Sequence, residues 1–216
     1  MASPPLVAPE ASFEDTGETL GEPVEPAFPI VGTRASAGGL GAFEAFFSGM
    51  SADLPGMAFV LVQHLAPDHD SILTELIQRC TAMAVFEAED GMEVRPNCVY
   101  IIPPNRAMEI KGGALHLTEP LLPHGHRLPI DFFSRSLAQA KRERAIGIVL
   151  SGTGSDGTLG IRAIKGEGGM VMAQSLDDSE YDGMPRSALV TGLVDYELAP
   201  ASMPTQLANC TAPSTM

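Results

Sequence analysis

The chain of 216 residues is long enough for one well-buried domain with tails, and 44% hydrophobic against 19% charged residues is ordinary for a globular α/β protein. A formal net charge of −14 repels nucleic acid and anionic lipid, and no basic patch with interleaved aromatics offsets it, which excludes both as partners. No apolar run reaches the roughly 18–20 residues of a membrane span, no basic segment precedes an apolar core at the N-terminus, and Cys80, Cys98 and Cys210 lie too far apart for a disulfide framework or a Cys-based metal site, so a cytoplasmic protein without membrane insertion is expected.

Residues 1–26 hold Pro4, Pro5, Pro9, Pro23 and Pro26 among Glu10, Glu14, Asp15, Glu18, Glu22 and Glu25, and no basic residue occurs before Arg34. With so little apolar surface to bury, this stretch reads as a disordered, acidic, Pro-rich tail. The globular domain is expected over 27–205, with 206–216 a C-terminal tail or linker. Within the domain, Phe28–Gly32 reads as a short buried strand that Ala35-Ser36-Ala37-Gly38-Gly39 cannot continue. Gly38 and Gly39 allow a sharp turn, and Leu40, Phe43, Phe46, Phe47 and Met50 then recur at helical spacing. A dinucleotide-type glycine loop is disfavoured here. Arg34 stands where G-x-G-x-x-G wants its second glycine, and Gln63-His64 stands where an acid should close the next strand.

Ala58–Gln63 (AFVLVQ) is a continuous apolar run, as in a strand covered on both faces. Helices are expected over Asp70–Cys80, Ile130–Glu143, Gly157–Gly166 and Pro185–Thr191. Strands are expected over Val85–Ala88, Val99–Ile102, Ala145–Leu150, Met170–Ala173 and Val194–Leu198. Met108–Ile110 and Ala114–Leu117 flank Lys111-Gly112-Gly113, a hairpin signal. The alternation predicts an α/β fold: a doubly wound, mostly parallel, Rossmann-like sheet with right-handed crossovers and an inserted antiparallel hairpin. Sites in such sheets form beyond the carboxyl ends of the strands.

Three strand ends carry chemistry. The first delivers Ser36, the second His64, and the third, after Leu150, delivers Ser151-Gly152-Thr153-Gly154-Ser155-Asp156-Gly157. A hydroxyl, an imidazole and a carboxylate at one sheet edge are the parts of an acyl-transfer triad. The imidazole takes the serine proton, and the carboxylate fixes its tautomer. Each residue also has a plainer reading. His64 could be a hydrogen-bonded strand-end residue, or with His69 a metal ligand, although their spacing matches no helical ligand pair. Asp156 could simply cap the helix after Gly157. His116, His124 and His126 fall in a hairpin and a Pro/Gly-rich loop and are expected in solvent.

Taken together, Ala35-Ser36-Ala37-Gly38-Gly39, Gln63-His64 and Ser151–Gly157 resemble the three motifs of the CheB protein-glutamate methylesterase catalytic domain. Val99–Asn105 (VYIIPPN) and Gly183-Met184-Pro185 match as well, and the resemblance covers about 28–205. It implies hydrolysis of glutamyl methyl esters on chemoreceptor cytoplasmic domains, with deamidation of receptor glutamines as a related activity and no metal or organic cofactor. It implies Ser36 as nucleophile, His64 as general base and acid, and Asp156 as the residue orienting His64. The acidic tail and the wording of the motifs are most similar to the module that begins CheB–CheR fusion proteins, where methyltransferase and sensor domains follow.

Arg34 departs from the family's usual glycine. Either it strains the turn, or its backbone is ordinary and its side chain projects towards the site mouth. Thr33 and Ala35, which read as extended, favour the second. The competing function is a catalytically weakened methylesterase fold serving as a binding or regulatory module, with Arg34 as its motive. Because residues 1–26 lack apolar anchors, deleting them is expected to leave melting temperature and ester turnover nearly unchanged; a drop of many degrees would mean that the tail packs on the domain.

Overall fold

The computed structural model describes residues 28–36, 38–50, 56–63, 70–119, 129–154 and 157–211. Strand β1 (Ile30–Ala35) leads to helix α1 (Gly39–Ser48), β2 (Ala58–Gln63) and α2 (Asp70–Cys80). Next come β3 (Ala84–Glu87), the two-residue β4 (Met92–Glu93), β5 (Cys98–Ile101) and the hairpin of β6 (Ala107–Lys111) and β7 (Ala114–Thr118). The chain continues through α3 (Pro129–Lys141), β8 (Ala145–Val149), α4 (Thr158–Gly166) and β9 (Met170–Gln174). It ends with α5 (Gly183–Val190), β10 (Tyr196–Leu198) and α6 (Met203–Thr211).

Seven strands form one sheet in the order β10-β9-β8-β1-β2-β5-β3, and every pair in it is parallel. From β1 the chain first lays β2, then β3 at the edge and β5 between the two, and returns to lay β8, β9 and β10 on the other side. The strand order therefore reverses between β1 and β8, and the crevice at that reversal is where such sheets bind ligands. This is the doubly wound α/β sheet that the alternation predicts.

Its central strands are covered on both faces, which is why they read as unbroken apolar runs. One face packs Val31, Phe59 and Leu61 against Phe43, Phe46 and Phe47 of α1, Leu73 and Ile77 of α2, and Met203 and Leu207 of α6. The other packs Ile30, Val60 and Val62 with Phe133 and Leu137 of α3, Ile161 and Ile164 of α4, and Met184 of α5. Phe46 and Phe47 of α1 also meet Phe59 edge-on, with ring centroids 6.0 and 5.9 Å from it. Contacts of this geometry add to area burial.

Two features of the fold go beyond the sequence reading. The expected antiparallel hairpin forms, and with β4, a strand not read from the sequence, it makes a separate sheet in the order β4-β7-β6. Its Met108, Ile110 and Leu115 join the core on the α3 side. β4 is too short for any periodicity to reveal it. The packed chain also runs past residue 205, because α6 continues to Thr211 with Leu207 fully buried. Thr205, Gln206 and Asn209 dilute its apolar stripe, so the sequence placed the end of the domain too early. Residues 1–26 lie outside the described residues. Among the described residues no helix is long and apolar enough to cross a membrane.

Leu207→Ala tests whether α6 belongs to the domain. A fully buried leucine truncated in a packed site is expected to cost about 2–5 kcal/mol in denaturant unfolding, where a loosely attached tail residue would cost nothing measurable.

Candidate active site

β1, β2 and β8 run in parallel register, with Ala35 opposite Gln63 and Arg34 opposite both Val62 and Val149. The three strands therefore finish level at one edge. β1 extends three residues beyond the expected Gly32. Although Thr33 and Arg34 are polar, both are buried, and their side chains alternate between the two covered faces.

Ser36 follows directly. Its backbone N–H donates to the carbonyl of Ser151 at 3.1 Å, and its own carbonyl accepts from Gly39 N–H at 2.9 Å, closing the turn. Gly38 precedes α1 with φ 72°, a left-handed conformation that costs an L side chain about 1–2 kcal/mol. The chain thus turns from strand into helix within three residues. The first N–H groups of α1, which have no partner within the helix, stand beside the serine, and there the helix dipole favours negative charge. The Gln63 side-chain amide lies 3.5 Å from the Ser36 carbonyl, at the outer limit of a hydrogen bond.

The loop after β8 braces this turn. Ser151 N–H donates to Gln174 Oε1 at 2.7 Å, and Gln174 Nε2 donates to the Asp178 carbonyl at 2.9 Å. Ser151 Oγ accepts from Tyr181 N–H at 2.9 Å, and Gly152 N–H donates to the Tyr181 carbonyl at 2.9 Å. Gly152 admits close approach: a Cβ there would lie 3.0 Å from both the nitrogen and the Cβ of Ser36, and would overlap Met184 Sδ. A cleft of about 500 Å³, lined by Thr153, Gly154 and residues 179–183, opens at this loop. Sequence reasoning named the 151–157 motif but missed Gln174 and Tyr181. The available signal for Gln174 was an amide closing an apolar strand, as Gln63 does.

Arg34 corrects the sequence reading. It belongs to a strand paired on both sides and is not among the residues with positive φ, so the turn is not strained by it. Nor does its side chain reach the site mouth. It is 2% exposed, and Nη1 donates to the Gly157 carbonyl at 2.8 Å and to Ser134 Oγ at 3.3 Å. Strand alternation explains this, since position 34 faces α3 and α4.

The start of α4 also differs from expectation. Its cap position is Gly157, which has no side chain to offer, and Asp131 of α3 accepts the Gly160 N–H through Oδ1 at 2.6 Å. Asp131 is itself 2% exposed. A carboxylate from a neighbouring helix thus satisfies one of the donors at the N-terminus of α4.

His64 and Asp156 lie outside the described residues, as do His69, His124 and His126. What surrounds their places in the chain is described: His64 follows the last residue of β2, and Asp156 precedes Gly157. His116 sits on β7 with its ring partly exposed, Nδ1 3.7 Å from the Asp90 carboxylate, as a surface residue. Among the described residues no group of three His, Cys, Asp or Glu side chains converges as metal ligands.

A parallel sheet whose strand order reverses beside a serine on a tight strand-to-helix turn defines a three-layer α/β protein with its site at the switch point. The chain belongs to the CheB methylesterase family, whose model matches residues 31–207. It superposes on the CheB methylesterase catalytic domain of Thermotoga maritima with a TM-score of 0.79 and 28% identity, covering 86% of this chain and 100% of that one. It is 34% identical over 174 residues to a protein-glutamate methylesterase/protein-glutamine glutaminase of Bdellovibrio bacteriovorus, covering 78% of this chain and 48% of that protein. A Myxococcus xanthus protein of the same description is 36% identical over 76% of this chain and 49% of its own length. An uncharacterized 104.1 kDa protein of Rhodobacter capsulatus is 43% identical over 58% of this chain, which is 13% of that protein. The chain thus spans about half the length of the two methylesterase relatives and a smaller share of the third.

Gly152→Ala is expected to displace Ser36 by crowding its backbone, costing about 1–3 kcal/mol of stability. It should also slow fluorophosphonate labelling of Ser36, read by mass spectrometry. Unchanged labelling would mean that the turn does not depend on this contact.

Proposed function

We propose that this chain is a serine esterase that hydrolyses glutamyl methyl esters on the cytoplasmic domain of a chemoreceptor, with deamidation of receptor glutamines as a related reaction. Ser36 Oγ attacks the ester carbonyl while His64 accepts its proton, and Asp156 fixes the imidazole tautomer and stabilises the imidazolium. The oxyanion forms beside the N-terminus of α1, where helix N–H groups and the dipole favour it. His64 then protonates the departing methoxide, and methanol leaves an acyl-enzyme on Ser36. Water, deprotonated by His64, opens that ester to give glutamate and restores the serine. A glutamine amide follows the same course with ammonia as the leaving group.

The observation that carries this reading is the Ser36 turn, anchored to the Ser151 carbonyl at the edge where β1, β2 and β8 end level. Membership of the CheB methylesterase family supports it, as do the activities for which the Bdellovibrio and Myxococcus relatives are named. The position of Gly157 as the cap of α4 supports a role for Asp156 other than capping. The weakened-module reading loses its motive, because Arg34 has an ordinary backbone and lies beneath the edge. The chemistry as written uses only side chains and water, and calls for no metal or organic cofactor.

The setting we propose is cytoplasmic, where receptor substrate domains lie. The Rhodobacter relative, of which this chain spans 13%, supports a place for the module in a longer polypeptide, and methyltransferase or sensor domains are the companions we propose for it there.

Methanol release from a methylated receptor fragment tests the assignment. Ser36→Ala and His64→Ala are each expected to lower turnover by about 10⁶, and Asp156→Ala by about 10⁴, with melting temperatures near that of the parent. Full activity of His64→Ala across pH would remove the mechanism.

A further inference from the structure

Arg34 occupies a socket that other residues leave open for it. A Cβ at Gly157 would lie 2.6 Å from Nη1, one at Gly160 would lie 3.0 Å from Nη1, and one at Gly147 would lie 3.3 Å from Nη2. Gly147 belongs to β8 and the other two begin α4, so three positions without side chains make room for one guanidinium. The contacts are directed as well as close. Nη1 donates to the Gly157 carbonyl at 2.8 Å and to Ser134 Oγ at 3.3 Å, and the Ser134 hydroxyl in turn donates to the Ile130 carbonyl at 2.7 Å. Asp131, the other buried charge at this joint, holds Gly160 N–H from α3. Filling space between a sheet and two helices would suit Met or Leu, with no charge to desolvate. A planar fork with several donors suits holding backbone in a set place.

Arg34 also stands where two pieces of the proposed site meet. Two residues further along β1 is Ser36, and the carbonyl it grips belongs to the residue bonded to Asp156. We propose that Arg34 is a positioning residue of the esterase site, fixing the start of α4, and with it Asp156, against the strand that delivers Ser36. The inference rests on the triad reading above. It assigns Arg34 no contact with substrate: its effect passes through Asp156 to His64.

The test is a double-mutant cycle on the full chain, with p-nitrophenyl acetate as the probe. Rates are measured against pH for the parent, Arg34→Met, Asp156→Asn and the double variant. Misplacement of a positioned group by about 1 Å costs on the order of 10²-fold, so Arg34→Met is expected to lower kcat by about that factor while KM stays within about twofold. In the Asp156→Asn background the same change is expected to cost less than about threefold, because the residue it serves is already lost.

The acid limb gives an independent readout. An ionised carboxylate beside an imidazole raises its pKa, so loss of that support moves the limb to lower pH in Arg34→Met, as in Asp156→Asn. An upward shift would mean that the cation acts on His64 directly by like-charge repulsion, and would overturn the proposal. So would losses that simply multiply in the double variant, or an unchanged kcat in Arg34→Met. Full activity of Asp156→Asn is a separate result: it defeats the triad reading itself, and Arg34's route with it. If circular dichroism shows that Arg34→Met does not fold, Ser134→Ala carries the cycle. It keeps the cation, removes one of its acceptors, and is expected to show a smaller kcat loss with the same non-additivity.

Discussion

A backbone hydrogen bond between two strand ends far apart in sequence is the constraint on which the site depends. Ser36 N–H meets the Ser151 carbonyl, and Leu150 N–H meets the Arg34 carbonyl, so β1 and β8 continue their ladder past the last paired residues. The ladder settles where the serine stands before any side chain is considered. On the other side, the Ala35–Gln63 register levels β2 with β1. A slip of one residue on either side would turn every side chain of that strand to the opposite face, and the two buried cores forbid it.

Polar groups at this edge satisfy one another across long sequence distances. Ser151 relies on Gln174 and Tyr181, α4 relies on Asp131, and Arg34 relies on Gly157 and Ser134. Each such bond adds only about 1 kcal/mol net, but a buried donor stripped of its acceptor costs about 1–3 kcal/mol. The edge is therefore held less by the strength of any one contact than by the expense of opening one. Such rigidity is what the proposed role of Ser36 calls for, since a site loosened by an ångström loses much of its chemistry.

Most of the sheet was legible because burial on both faces writes itself as unbroken apolar runs. Ala58–Gln63 and Asp70–Cys80 appear with the bounds read from the sequence. The Ser36 turn was legible because strand, small residues, glycines and helix follow one another without a gap. What stayed hidden depends on neighbours distant in the chain. Thr33 and Ala35 read as extended, but nothing local marks Arg34 between them as buried, and only the covering helices reveal where its side chain goes. Asp131 lies in the first turn of an amphipathic helix, where an acid already suits its own helix and nothing local marks it as the partner of Gly160. The membership of β4 in the small sheet and the burial of Leu207 are likewise set by what packs against them, not by periodicity.

The placement of β1 at the centre of the sheet governs how the molecule comes into being. Its partner on one side is β2, some thirty residues away, but its partner on the other is β8, which begins at Ala145. During synthesis the strands and helices from β1 to α2 can associate early, while the central strand keeps a bare edge until Ala145–Val149 has left the ribosome. Pairings of such high sequence separation are slow, because loop closure must precede their reward. The Ser36 turn cannot be anchored to the Ser151 carbonyl before β8 arrives, so its organisation waits on that late pairing. A nascent or cleaved chain ending short of residue 145 would carry the serine without the ladder that sets it in place.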